Sequence, residues 1–425
     1  GNIGPDAILA RSNIHCSPEH KCIWINQALR YFDILPIGLS NFVEGSPYDR
    51  LMAKGEVDSI RSGPVVSIIV ATFNAASTIG TALRSLLAQT YKNIQIIVVD
   101  DCSTDQGETI SAVEKYIDDS GTIDLIRLNT NGGAYVARNS GLDIAEGKYV
   151  TLHDADDWSH PQKIERQVAY MEANPDCMAC TSEQARTTNE LDFAKVRSHL
   201  ITYNTSSLMF RRTPVAKQLG YWDTVRLGAD SEFIGRIQKV FGERSFRKLR
   251  TGPLSFQRIS DSSVTTSNTT GLSGVYYGVR REYHDAQKFH ISKAPSLRYE
   301  NWTEGAFLAP RMMRSKRGNR DQEPGHYPLV IFGDFREPSG SIRNFLDELP
   351  VLIDKYGRIG LVEAQIYDAP LPSAMGICPE VRSRLVDGVV EVVVYGETVT
   401  CDVTLRLQED AGVGQKFLPD VRVKY

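Results

Sequence analysis

Apolar positions alternate between two periods from residue 65 to residue 152. Residues 65–71 form an almost unbroken β-branched run, as expected of a strand covered on both faces. Ile79, Ala82, Leu83, Leu86 and Leu87 then recur at helical spacing across 77–89, and 94–99 returns to the strand pattern. The alternation continues with a helix over 108–116, a strand over 123–128, a helix over 134–145 and a strand over 149–152. This rhythm predicts an α/β sheet with parallel strands. A second series begins at 327–334, which reads as a strand. A helix follows over 341–356, carried by Ile342, Phe345, Leu346, Leu349, Leu352 and Ile353, and then strands at 359–366, 389–395 and 399–407. That is a second, smaller α/β unit.

Composition sets the limits on this picture. A chain of 425 residues is long enough for two or more compact units. Its net charge of −4 removes any global case for a nucleic-acid partner. Every apolar run is strand-sized, so no spanning helix is expected, and the residues from Gly1 onward lack a signal-peptide pattern. The expected compartment is cytoplasmic. Seven cysteines, thinly spread, read as reduced thiols rather than a disulfide framework. Cys177-Met178-Ala179-Cys180 has redox or zinc spacing but no second Cys/His pair nearby, and reads as a buried strand.

Ligands of parallel sheets sit at the carboxyl ends of the strands, so the polar residues there matter most. The first strand runs into Thr72-Phe73-Asn74 and the second into Asp100-Asp101-Cys102-Ser103-Thr104-Asp105. The fourth runs into His153-Asp154-Ala155-Asp156-Asp157. Ser159 and Gln162 around Pro161 fit a capping box opening the next helix. Clustered carboxylates repel unless a cation is supplied, and hard oxygen ligands favour magnesium or manganese bound together with substrate phosphates. The competing reading is a solvated acidic turn that caps the helix.

Five stretches in order (66–74, 85–91, 97–105, Asn131-Gly132-Gly133 with 137–141, and 152–157) resemble the GT-A-fold, family 2 inverting glycosyltransferases. The resemblance covers about 65–265 and implies a Rossmann-like, mostly parallel mixed sheet. The expected organisation is an N-terminal accessory segment (1–62), a GT-A domain (63–270), a helical extension with a basic linker (271–325) and a C-terminal α/β domain (326–425). The turn Pro338-Ser339-Gly340-Ser341 in the last resembles the opening of a GT-B-like module.

The resemblance also implies roles. Thr72, Asn74 and Asp100 or Asp101 would hold the base and ribose, and Arg138 would face the base or diphosphate. Asp154 would serve the ribose side and share the metal with Asp156, the principal ligand of Mn2+ or Mg2+, with Asp157 in support. The general base falls at Asp230, with Glu232 as the rival because Ala229 stands where many members carry an acid. Arg258 is a candidate phosphate contact. Other readings stay open: Ser103 and Asp105 as caps of the next helix, Arg138 paired with Asp143 or Glu146, Asp230 as a helix cap and Arg258 at the surface.

The expected activity is metal-dependent inverting transfer of one hexosyl unit from a nucleotide sugar, UDP-sugar favoured, to a glycan or lipid-linked acceptor. The setting would be polysaccharide or glycoconjugate assembly. A Gln-x-x-Arg-Trp signature and membrane helices, the marks of processive members, are missing. The alternatives are a nucleotidyltransferase, disfavoured by the lack of a Gly-rich phosphate loop after the first strand, and a non-catalytic carbohydrate-binding or scaffold protein. Arg311, Arg314, Lys316 and Arg317 could touch an anionic membrane, or form a solvated linker.

Overall fold

The computed structural model describes residues 3–55, 58–196, 198–260, 271, 277–300, 305–314, 325–366, 369–372 and 374–424. The chain divides into two units. One comprises Gly1–Trp222, Phe233–Asp261 and Leu297–Trp302, the other Asp223–Glu232, Ser262–Ser296 and Thr303–Tyr425.

The first unit is built on a mixed sheet. Strands Ile123–Arg127, Ile94–Asp100, Val66–Thr72 and Tyr149–Asp154 lie side by side in that order, all parallel. Beyond Tyr149–Asp154 the sheet turns antiparallel through Met209–Arg211 and then Ala179–Thr187, which pairs in parallel with the long strand Phe246–Arg258. Trp158–Ser159 closes the series against the end of that strand. Helices Ile79–Leu87, Glu108–Glu114 and Ala134–Asp143 connect the parallel strands, as the apolar periodicity predicts. The helix Ile79–Leu87 buries Ile79, Leu83 and Leu86 against Ile68, Val70 and Ile96 of the sheet. A residue near the carboxyl end of the central strands is thereby held by a backbone packed on both faces.

The N-terminal helices Pro5–Ser12 and Pro18–Arg30 belong to a second core of this unit. Leu9, Ile25, Leu29, Ile37, Tyr48 and Leu51 pack with Trp158, Leu254 and Phe256. The capping box expected at Ser159 does not form. Ser159 is drawn into the two-residue strand, Gln162 accepts the Leu35 N–H instead (2.9 Å), and the helix starts only at Lys163. Cys180 is buried in a strand and Cys177 is buried just before it, and all seven cysteines are free.

The second unit holds a five-stranded parallel sheet in the order Val390–Val392, Ile359–Glu363, Gly325–Gly333, Thr398–Arg406, Asp420–Val423. Tyr327, Val330, Val362, Val393, Val399 and Cys401 form a core of their own. The helix Gly340–Tyr356 follows the central strand and buries Ile342, Phe345 and Leu349. Arg314 is no solvated linker residue: it pairs with Asp387 and Glu391 of the same unit, each at 2.8 Å. Lys316 and Arg317 lie outside the described residues. Among the described residues no helix is long and apolar enough to cross a membrane.

Candidate active site

Three adjacent parallel strands deliver their polar ends to one edge of the first unit. Val66–Thr72 stops at Thr72, whose hydroxyl is buried and has no hydrogen-bond partner among the described residues. The next residues turn sharply. Asn74 takes a positive φ of 50° and Cys102, after the neighbouring strand, one of 61°. Asn tolerates this left-handed backbone better than most residues, and for Cys it is uncommon. The two turns are laced together: the Asn74 N–H donates to Ser103 Oγ (2.9 Å), its side-chain amide to Thr104 Oγ1 (3.1 Å), and the Thr104 N–H returns a bond to Asn74 Oδ1 (2.8 Å).

The acids of the second strand end are largely engaged from within. Asp100 accepts from the Ser103 hydroxyl (2.5 Å) and N–H (3.1 Å). Asp101 accepts from the N–H groups of Gly132 (2.8 Å) and Gly133 (2.6 Å), which fixes the loop opening the Ala134–Asp143 helix. Asp105 accepts from the Thr109 N–H (3.0 Å) and hydroxyl, the capping role read from sequence, whereas Ser103 turns back to Asp100.

Arg138, buried on that helix, reaches not Asp143 or Glu146 but Asp154 Oδ1, at 2.8 Å, and lies over the Tyr135 ring at 4.8 Å. Asp143 instead accepts from the Tyr221 hydroxyl (2.6 Å). Asp154, Asp156 and Asp157 follow one another around the turn after Tyr149–Asp154, and their charges are felt. Partial burial, then the charge of Asp154, pushes the Asp156 carboxyl up to about 6, against the pull of Arg258 and Arg186. Buried Asp157 is raised well above the usual carboxylate range by burial, then by Asp156 and Asp154, while its Oδ1 accepts the Arg258 N–H at 3.0 Å. Burial lowers the Lys163 ammonium to about 8, its other neighbours Asp157 and Asp154 working in the opposite sense. His153 is pushed down to about 3 by burial and by Lys163, and so stays neutral.

This donor set suits a hard divalent cation. It offers carboxylate oxygens with raised proton affinity, the state that a bound cation relieves. Among the described residues no three His, Cys, Asp or Glu side chains gather as a metal site. The protein's share would be one or two carboxylates, the rest coming from phosphate oxygens and water, as is usual for magnesium.

Arg258 is buried at the end of its strand, not at the surface. Its three guanidinium nitrogens donate to the Asp156 carbonyl (3.2 Å), Asn189 Oδ1 (2.7 Å) and Asp49 Oδ1 (2.5 Å), and the group stacks over Tyr48 at 4.2 Å. Sequence reasoning missed Tyr48, Asp49, Lys163, Arg186 and Asn189, for no local motif marks them. Asp230 and Glu232 are both buried in the first turn of the helix Ala229–Phe241, inside the helix rather than at its cap. They fall in the segment Asp223–Glu232 of the second unit.

Comparison with known proteins bears on this site. The family model described as glycosyl transferase family 2 matches residues 67–231. The chain is 45% identical over 108 residues to the Escherichia coli UDP-Glc:alpha-D-GlcNAc-diphosphoundecaprenol beta-1,3-glucosyltransferase WfaP, covering 25% of this chain and 41% of that one. It is 31% identical over 157 residues to the Rhizobium meliloti succinoglycan biosynthesis protein ExoO, covering 35% of this chain and 44% of that one. The chain thus spans about two fifths of the length of such relatives. Among solved structures it is similar to the mannosyltransferase PcManGT from Pyrobaculum calidifontis, with 19% identity, 69% of this chain and 77% of that one covered, and a TM-score of 0.40. The family match takes in all three strand ends and the acid turn, so that residues 67–231 of this α/β chain carry the pattern of glycosyl transferase family 2.

Proposed function

We propose that this chain is a metal-dependent inverting glycosyltransferase that moves one sugar per encounter from a nucleoside-diphosphate sugar to a hydroxyl of a glycan or lipid-linked acceptor. The observation that carries the reading is the Asp154–Asp156 turn at the edge where the strands end, where burial and then the charge of Asp154 push the Asp156 carboxyl up to about 6. UDP-sugars are the favoured donors, in keeping with the UDP-Glc named for WfaP. Polysaccharide assembly is in keeping with the name of ExoO.

In this reading the orphaned Thr72 hydroxyl and the Asn74 turn receive the nucleoside, Asp100 and Asp101 shape its pocket, and Arg138 steadies Asp154 beside the ribose. Asp156, with Asp154, would hold manganese or magnesium, which when bound supplies charge neutralisation for the diphosphate. Asp157, buried and bonded to the Arg258 N–H, keeps the turn in shape. Asp230 takes the acceptor's proton, with Glu232, two residues on in the same helical turn, as the rival for that role. Inversion follows from a single in-line displacement, in which the acceptor oxygen bonds the anomeric carbon as the diphosphate leaves.

Calorimetry with UDP and GDP, with and without manganese, tests the reading. The expected result is UDP binding that tightens at least tenfold with the metal; binding indifferent to manganese for every nucleoside diphosphate would overturn it.

A further inference from the structure

The family match begins at residue 67, yet the acid turn is fastened from outside it. Asp49 belongs to the N-terminal segment, 209 positions from Arg258, and receives that guanidinium at 2.5 Å. The segment grips the same place through one stacking contact and three more hydrogen bonds. Tyr48 stacks under the guanidinium and donates its hydroxyl to the Phe256 carbonyl (2.5 Å), the Tyr48 N–H bonds the Asn189 carbonyl (3.0 Å), and the Trp158 indole bonds the Leu51 carbonyl (3.1 Å). Asp49 is itself set by Thr81 (2.8 Å) and Ser46 (2.6 Å), and its carbonyl by Arg84 (3.2 Å). Arg258 then passes this constraint to the acids, through its Nε to the Asp156 carbonyl and through its backbone N–H to the Asp157 carboxylate.

We propose that Asp49 is a positioning residue for the acid turn, acting through Arg258 to fix the Asp156 backbone where the metal and diphosphate bind. The inference rests on the function proposed above and deepens it. A planar guanidinium can reach Asp49, Asn189 and the Asp156 carbonyl at once because its donors form a rigid fork, which an ammonium lacks. A buried carboxylate that locks the fork replaces the rotamer freedom of a long side chain with one orientation. The N-terminal segment is on this account part of the donor site's framework.

The test measures UDP affinity with and without manganese, together with melting temperature, for the wild type and three variants. Asp49→Asn keeps shape and removes charge, and Arg258→Lys keeps charge and removes the fork. Both are expected to lose about tenfold of the manganese-dependent gain, roughly 1.4 kcal/mol, while metal-free UDP binding stays within twofold. Lys21→Met breaks the buried end of the Lys21–Asp192 pair on the same segment. It is expected to lower the melting temperature and leave the manganese gain intact. If Asp49→Asn does not fold, Arg258→Lys alone decides. Folded variants that keep the full gain overturn the inference, as does an equal loss in Lys21→Met. A wild type that shows no manganese gain overturns the proposed function as well, so the two failures are distinguishable.

Discussion

In metal-free protein the Asp156 carboxyl takes up its proton near pH 6, because partial burial and the charge of Asp154 disfavour the anion. The sign follows from linkage. A carboxyl whose affinity for the proton rises on folding contributes stability that is complete below pH about 4 and lost as pH rises through 6. Asp156→Asn, measured in chelator, is therefore expected to melt higher than wild type at pH 7–8, by on the order of 2 kcal/mol, with the gap closing toward pH 4. The same variant is expected to lose manganese-assisted UDP binding. Asp230→Asn should behave oppositely: nucleotide affinity unchanged and transfer slower by about 10²–10⁴-fold, the usual worth of a positioned base, read by nucleotide release. The acids were legible in the sequence because they end apolar runs. Asp49 was not, since its partner lies on a strand far along the chain and neither residue sits in a periodic pattern. Nor could Asp154 be seen to bind Arg138, a pairing set by how helix and strand pack rather than by spacing along a helix.

Among the elements, the parallel half was legible and the antiparallel half was not, for a physical reason. Val66–Thr72 and Ile94–Asp100 are buried on both faces and so read as apolar runs. Ala179–Thr187 is buried almost throughout yet contains Thr181, Ser182, Glu183 and Gln184. Among them Glu183 accepts the Gly252 N–H at 2.8 Å, a bond to a distant strand that sequence does not show. Phe246–Arg258 carries Gly252-Pro253 and two irregularities in register, so it resembles a loop. Packing of the legible half is tight enough to test. A Cβ on Gly141, in the helix Ala134–Asp143, would lie 2.6 Å from Ile69 and 3.3 Å from Val99. Gly141→Ala gains helix propensity but overpacks the helix against the sheet, at a cost of about 1–3 kcal/mol. A melting temperature several degrees lower is expected, by calorimetry or circular dichroism.

Across the whole molecule, the two units have separate sheets and separate cores. A donor that binds at the strand ends of the first unit should raise the free energy of opening there, by about 2.7 kcal/mol at a hundred times its dissociation constant. Hydrogen exchange with manganese and UDP is expected to slow at Val66–Thr72, Ile94–Asp100 and Tyr149–Asp154 and to stay unchanged at Gly325–Gly333. Slowing at that last strand would place nucleotide in the second unit instead. The presence of a second α/β unit was legible from its own alternation of strands and a helix, whereas its ion pairs, such as Arg314 with Glu391, were not.

The left-handed turn at Cys102 also turns the site into a chemical address. Five of the seven thiols are buried and only Cys16 is exposed, so Cys102, half-buried beside the Asn74 turn, is the second reactive position. In a Cys16→Ser background a maleimide dye is expected to attach once per chain, at Cys102. Attachment should slow when UDP and manganese are present, giving an optical measure of donor occupancy without any acceptor in hand.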